Sequence, residues 1–245
     1  LFLAMRYELV DGQDTIAPLQ AVLDTNFWLA THVTIVTMGY AAGLAAAGVS
    51  ILYILSRLVD PLKKRFPRSY YKDITGMAYG IICFGLLFSL VGTILGGIWA
   101  NYSWGRFWGW DPKENGALMI VLMNLIILHG RIGGLLKQLR LHMASVAGAI
   151  VVCYSWWGVN LLGAGLHSYG FTSGVRQALN MAYFGLSVVV LIGGCIGIYE
   201  WAIKRVAPEA ASRDTGKSAA AVASLLVIAL FGAALFGFAL THMAS

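Results

Sequence analysis

Long apolar runs separated by short charged stretches dominate the chain. Six such runs lie at roughly 28–55, 74–98, 115–130, 143–165, 178–202 and 219–242. A helix needs ~20 mostly apolar residues to cross ~30 Å of hydrocarbon, and the runs match that scale. The third is the weakest, because Asn124 and His129 lie within it. None alternates between apolar and polar residues, so the pattern predicts helices and not the strands of a membrane barrel. The predicted fold class is an all-α integral membrane protein, a bundle of about six transmembrane helices with an outer, tryptophan-rich loop. Residues 1–26 are read as an outer-face segment, with Leu1 to Met5 as the tail of a preceding span. Residues 27–245 are read as one transmembrane domain that includes the loop 99–115. The chain opens Leu-Phe-Leu-Ala-Met-Arg with no initiator Met, and is therefore read as a fragment or the C-terminal portion of a longer polypeptide.

Composition excludes a soluble domain. Of the 245 residues, 59% are hydrophobic and 11% charged, with a mean hydropathy of +0.75. A soluble domain has charge on about a quarter of its residues. The 29 glycines suit helices that approach closely in lipid.

Charge supplies an orientation. The connection 56–73 carries Arg57, Lys63, Lys64, Arg65, Arg68 and Lys72. The connection 130–142 adds Arg131, Lys137 and Arg140, and 203–218 adds Lys204, Arg205, Arg213 and Lys217. Together they hold 13 of the 17 basic residues, against Arg6, Arg106, Lys113 and Arg176 on the other side. Positive charge marks the cytoplasmic face, so the loop 99–115 faces outward. The net charge of +6 is anchoring charge and implies no nucleic-acid partner. Cys83, Cys153 and Cys195 stand singly in different spans, with neither a Cys-x-x-Cys pair nor a Cys-His of covalent haem attachment. They read as small packing residues.

Candidate chemistry gathers on the outer side. The loop 99–115, WANYSWGRFWGWDPKEN, holds Trp99, Trp104, Trp108 and Trp110, half of the eight tryptophans. Gly105 and Gly109 would give the backbone room beside a flat object, and indoles can cover the faces of a macrocycle. Asp111-Pro112-Lys113-Glu114 reads as a capping box opening the third span. His32 opens the first long span in NFWLATH, and His167 stands at the outer end of the fourth in VNLLGAGLHSYGF. Imidazole is a natural axial ligand of haem iron, and two of them beside a tryptophan wall predict a six-coordinate site. His129 lies too far along its helix to reach the same iron, ~27 Å from Asp111 at 1.5 Å per residue. An ionisable group inside a span is a functional candidate in its own right. His142 is expected at the surface of the basic inner connection, and His242 on the outer side.

WANYSWGRFWGWDPKEN resembles the "WWD" signature of the haem-handling proteins of cytochrome c biogenesis. NFWLATHV and VNLLGAGLHSYGF resemble the flanking histidine segments of the CcsA (ResC-like) subunit of the system II cytochrome c synthase, and LHGR is similar to its intramembrane histidine segment. The likeness runs from about Asp14 to Phe171. It implies binding of haem b at the outer face by His32 and His167, with Trp99, Trp104, Trp108, Trp110 and Asp111 around the porphyrin. It implies that His129 is the ligand of an inner, transmembrane site, completed by a CcsB-type subunit, separate or fused. The function implied is haem export and presentation for thioether attachment to the Cys-x-x-Cys-His of an apocytochrome c, as a subunit of holocytochrome c synthase (haem lyase). The implied partners are that apocytochrome, a thioredoxin-like thiol reductant and membrane lipid. The implied location is a bacterial plasma membrane or a thylakoid membrane, with haem on the extracytoplasmic side.

The rival readings are a CcmF-like haem lyase subunit, for which Asn115 speaks, and a membrane cytochrome b passing electrons to quinone. A cytochrome b would want histidine pairs facing each other at matching depth. A cofactor-free transporter or scaffold is a third class, and no pairing of broken helices in matching halves supports it.

Overall fold

The computed structural model describes residues 26–63, 66–167 and 174–206. Five helices are long and apolar enough to cross a membrane. They are α1 (Thr34–Lys63), α2 (Arg68–Trp104), α3 (Pro112–Ile132), α4 (Gln138–Trp156) and α5 (Val175–Val206). A short α turn (Asn26–Trp28) and a π-helical turn (Leu29–Val33) lead into α1, and a 3-10 turn (Gly158–Leu162) follows α4. There is no strand among the described residues. The outer-face segment, the predicted sixth span at 219–242 and His242 lie outside the described residues.

The spans alternate in direction, so the α2–α3 connection with its tryptophans sits at one end of the bundle. Arg57, Arg68, Lys72, Arg131, Lys137 and Arg140 all belong to the other end, as the charge pattern predicts. α1 packs along α2 and α4, α3 packs on α4, and α5 closes against α4. Without a hydrophobic drive between helices in lipid, such seams depend on small residues that let backbones touch. At the α1–α2 seam, a Cβ on Gly39 would stand 2.7 Å from the Ser89 amide nitrogen, and one on Gly92 would stand 2.8 Å from Val36 Cα. Between α3 and α4, Ser155 Oγ donates to the Gly116 carbonyl at 2.8 Å.

Two expectations need correction. The fourth span runs from Gln138 to Trp156, not 143–165, because Leu141 and His142 at its start belong to the core. His142, expected at the surface, is fully buried. Its ring stacks on Tyr53 at 3.9 Å between centroids, and bridges Ser50 Oγ (2.9 Å) to Thr75 Oγ1 (3.1 Å). Thr75 spends its only hydroxyl proton on the Tyr71 carbonyl at 2.6 Å. It must therefore accept from His142 Nε2–H, which leaves Nδ1 to accept from Ser50. That ring is neutral, satisfied on both nitrogens, and ties α1, α2 and α4 together. The second correction concerns the loop 99–115. Its first part is helix, since α2 continues through Trp104, and the connection proper is Gly105–Asp111.

Candidate functional site

The tryptophan-bearing end of the bundle opens into a cavity of about 290 Å³. His32, His167, Trp99, Trp104 and Trp108 line it together. Residues from four separate stretches of the chain thus converge on one space, and each arrives for a local reason.

His32 comes from the π-helical turn, a wide-ring irregularity that recurs at functional sites. Its Nδ1 meets the Gly92 carbonyl at 2.9 Å, and the Trp99 ring meets it edge-on at 5.5 Å. Trp28 lies parallel to Trp99 on the other side, 6.2 Å away. Gly96 makes room for the imidazole: a Cβ there would be 2.7 Å from His32 Cε1.

His167 arrives after the 3-10 turn through Gly163 and Gly165, both in the left-handed region. A side chain at Gly165 would collide with Asp111, since its Cβ would stand 2.8 Å from Asp111 Cβ. This close crossing brings His167 Nδ1 onto Asp111 Oδ2. The Trp104 ring stands edge-on to His167 at 4.8 Å. Asp111 itself lies behind His167 and is buried. Its Oδ1 accepts from the amides of Lys113 and Glu114 at 2.9 Å each, forming the capping box of α3. Burial alone would raise the Asp111 carboxyl pKa. The His167 hydrogen bond and the two amides outweigh that and hold it below the ordinary carboxylate value.

Both histidines therefore give their Nδ1 proton to an oxygen acceptor, a carbonyl in one case and a carboxylate in the other. In the neutral ring this assigns the lone pair to Nε2. Metal-binding histidines are oriented in this way, through the nitrogen that does not bind the metal. His129 follows the same pattern far from the cavity: its Nδ1 meets the Leu125 carbonyl at 2.8 Å, and the side chain is exposed on α3. Asp111, Glu114 and His167 also present ligand atoms within 4.8 Å of one another. The hydrogen bonds already engage that trio, which makes it the support of His167.

The loop has a hub that the sequence did not disclose. Glu114 Oε1 takes Arg106 Nη1 at 3.0 Å, while Oε2 takes the Gly109 amide at 2.7 Å and the Asp111 amide at 3.3 Å. Arg106 in turn lies over Trp104, 5.6 Å from its ring centroid. The loop is wrapped around one buried carboxylate. Gly109 takes part in that wrapping. Gly105 is the left-handed C-cap of α2, and a Cβ on Gly109 would strike the Arg106 guanidinium. Lys113 and Tyr40 also line the cavity, with Lys113 Nζ donating to the Trp156 carbonyl at 2.6 Å. Trp110 departs from the expected wall. Its φ of 59° and the bond from Asn115 Nδ2 to its carbonyl (2.9 Å) turn its ring out of the cavity, 70% exposed.

A family model described as cytochrome C assembly protein matches residues 3–167. The cytochrome c biogenesis protein CcsA of Chlamydomonas reinhardtii is 37% identical over 158 residues, covering 63% of this chain and 44% of the relative. The protein of that name from Parasynechococcus marenigrum is 32% identical over 193 residues, covering 69% and 63%. That of Cuscuta reflexa is 32% identical over 167 residues, covering 58% and 54%. The match spans 44% to 63% of the length of these relatives.

Proposed function

The chain belongs to the cytochrome C assembly protein family, and on that premise we propose that it holds haem b between His32 and His167 and presents it to apocytochrome c. One observation carries the reading. Two imidazoles from distant parts of the chain line the same aromatic cavity, each with Nδ1 committed to an oxygen and the lone pair assigned to Nε2. That arrangement suits axial ligation of an iron, and planar indoles suit a porphyrin.

Haem is the substrate here, and the chain contributes position. Trp99 and Trp104 buttress the two imidazoles edge-on, Asp111 and the Gly92 carbonyl fix their orientation, and Glu114 keeps the loop closed on itself. The chemistry is addition of a thiol S–H across each vinyl C=C: sulfur bonds to one carbon and hydrogen to the other. No net oxidation occurs, so the two cysteines of Cys-x-x-Cys-His need only arrive reduced, which calls for a thioredoxin-like dithiol. The rate gain expected of such a site is chiefly proximity.

His129 fits an inner haem site whose second ligand comes from a CcsB-type subunit. Its exposed position on α3 suits a ligand shared across a helix–helix contact. In this reading residues 27–245 form one assembly domain, 1–26 lie at the outer face, and the cavity faces the extracytoplasmic side of a bacterial plasma or thylakoid membrane.

The test is an absorption spectrum of the purified full-length complex beside His32→Ala and His167→Ala. The expected result is a low-spin Soret band, lost or turned high-spin in either variant and restored by imidazole, together with loss of holocytochrome c in the same strains. Wild-type spectra and activity in both variants would overturn the proposal.

A further inference from the structure

The opposite end of the bundle holds a second, larger space. Where α1, α4 and α5 diverge, a cavity of about 1030 Å³ opens among Tyr53, Arg57, Arg131, Lys137, Arg140 and Trp201. Its charge is one-sided. The single carboxylate in its wall among the described residues, Glu200, is ion-paired with Arg57. Arg131, Lys137 and Arg140 face the space with no carboxylate partner among the described residues; Arg131 makes only a 3.5 Å contact to the Leu136 carbonyl. α4 begins at this wall with no side-chain cap and no acidic residue in its first turn, so its leading amides add to the positive field.

Apart from Gln138, the rest of the wall is apolar. Leu139, Met143 and Ile198 continue from the cations into the spans beside Gly194 and Gly197. A Cβ on Gly197 would find Leu139 Cδ2 at 3.6 Å, and one on Gly194 would find Met143 Cε at 3.7 Å, both ordinary contacts. The cavity thus has cations at the ends of three spans and a hydrocarbon-like slot running inward from them. A soluble anion would use the first and leave the second bare.

We propose that this cavity is a binding site for one anionic phospholipid, its phosphodiester held by Arg131, Lys137 and Arg140 and an acyl chain lying along Leu139, Met143 and Ile198. Basic pockets between membrane helices recognise anionic headgroups in this manner. The exposed indole of Trp201 stands where interfacial tryptophans gather. The site is separate from the histidine cavity, and the proposal stands or falls without it.

The full-length protein would be purified in detergent and titrated with phosphatidylglycerol, phosphatidylcholine and inorganic phosphate, with bound lipid counted by native mass spectrometry. The expected result is a preference for phosphatidylglycerol over phosphatidylcholine of at least about tenfold, a conservative figure for three interfacial cations. The combined Arg131→Gln, Lys137→Gln, Arg140→Gln variant should lose that preference. Gly197→Leu, which fills the slot and leaves every charge in place, should weaken phosphatidylglycerol binding by itself, and it decides the matter if the triple variant does not fold. Equal affinity of the wild type for the two lipids, an undiminished phosphatidylglycerol affinity in Gly197→Leu, or displacement of the lipid by millimolar phosphate would overturn the proposal. So would one-for-one displacement by haem, which would make the slot a porphyrin site.

Discussion

Asp111→Asn separates the two roles of one buried carboxylate. Asp111 Oδ1 caps α3 through the amides of Lys113 and Glu114, while Oδ2 receives His167 Nδ1. Asparagine caps a helix about as well as aspartate, so the loss of helix stability should be no more than a few tenths of a kcal/mol. The second role does not survive. With Oδ1 kept on the amides, the new NH2 group meets His167 Nδ1–H, donor against donor. The imidazole escapes by moving its proton to Nε2, the nitrogen an iron would need. Loss of such a supporting partner costs 10–100-fold in metal affinity, about 1.4–2.8 kcal/mol. Haem titration followed at the Soret band should show that loss in Asp111→Asn while the cap of α3 is retained. Asp111→Ala should add a cap loss of about 1 kcal/mol. Wild-type haem affinity and spin state in Asp111→Asn would refute the reasoning and leave Asp111 as a cap alone.

Other outcomes follow from the same contacts. Because the folded-state pKa of Asp111 is depressed, its stabilisation is present above the ordinary carboxylate value of about 3.9 and is lost as pH falls through the lower folded value. A thermal-melt series between pH 5 and pH 2 (roughly the window of such a group) should therefore fall more steeply for wild type than for Asp111→Asn. His142→Leu orphans Ser50 Oγ in the core and should cost ~1–3 kcal/mol in unfolding experiments, with haem binding to the intact fold unchanged. Gly96→Ala pushes a methyl to within 2.7 Å of His32 Cε1 and should lower haem affinity, whereas Gly48→Ala, with nothing within 4 Å, should not; equal effects would sink the argument. Glu114→Gln should speed amide exchange at Gly109 and Asp111, whose N–H groups both end on that carboxylate.

The sequence made the spans legible because hydropathy alone decides what can sit in a bilayer, and Asp-Pro-Lys-Glu made the α3 cap legible because a capping box is local. The start of α4 was not legible. Gln138, Arg140 and His142 look like a connection until Ser50 and Thr75, from two other helices, are known to meet the imidazole. The gathering of His32, His167, Trp99, Trp104 and Trp108 followed from topology, since all five fall at one end. Their orientation did not, because the Asp111–His167 bond joins positions 56 residues apart. The eight-residue reach from Arg106 to Glu114 likewise carries no periodic signal. Of the two loop glycines, Gly109 meets the Arg106 guanidinium, a contact that no local pattern discloses, while a Cβ on Gly105 would meet open space.

The outward turn of Trp110 makes the loop two-sided. Trp104 and Trp108 belong to the inner lining, while Trp110, held in a left-handed conformation that costs about 1–2 kcal/mol, stands proud on the far side. A strained residue with a large exposed ring persists only where the surrounding contacts over-determine it, as the Asn115 bond does here. The same short connection therefore has one face turned into the cavity and another turned away from it. Replacing Trp110 by glycine would relieve the backbone strain but also remove a ring that meets Trp108 edge-on at 6.0 Å, so the exposed face and the lining are coupled through that contact.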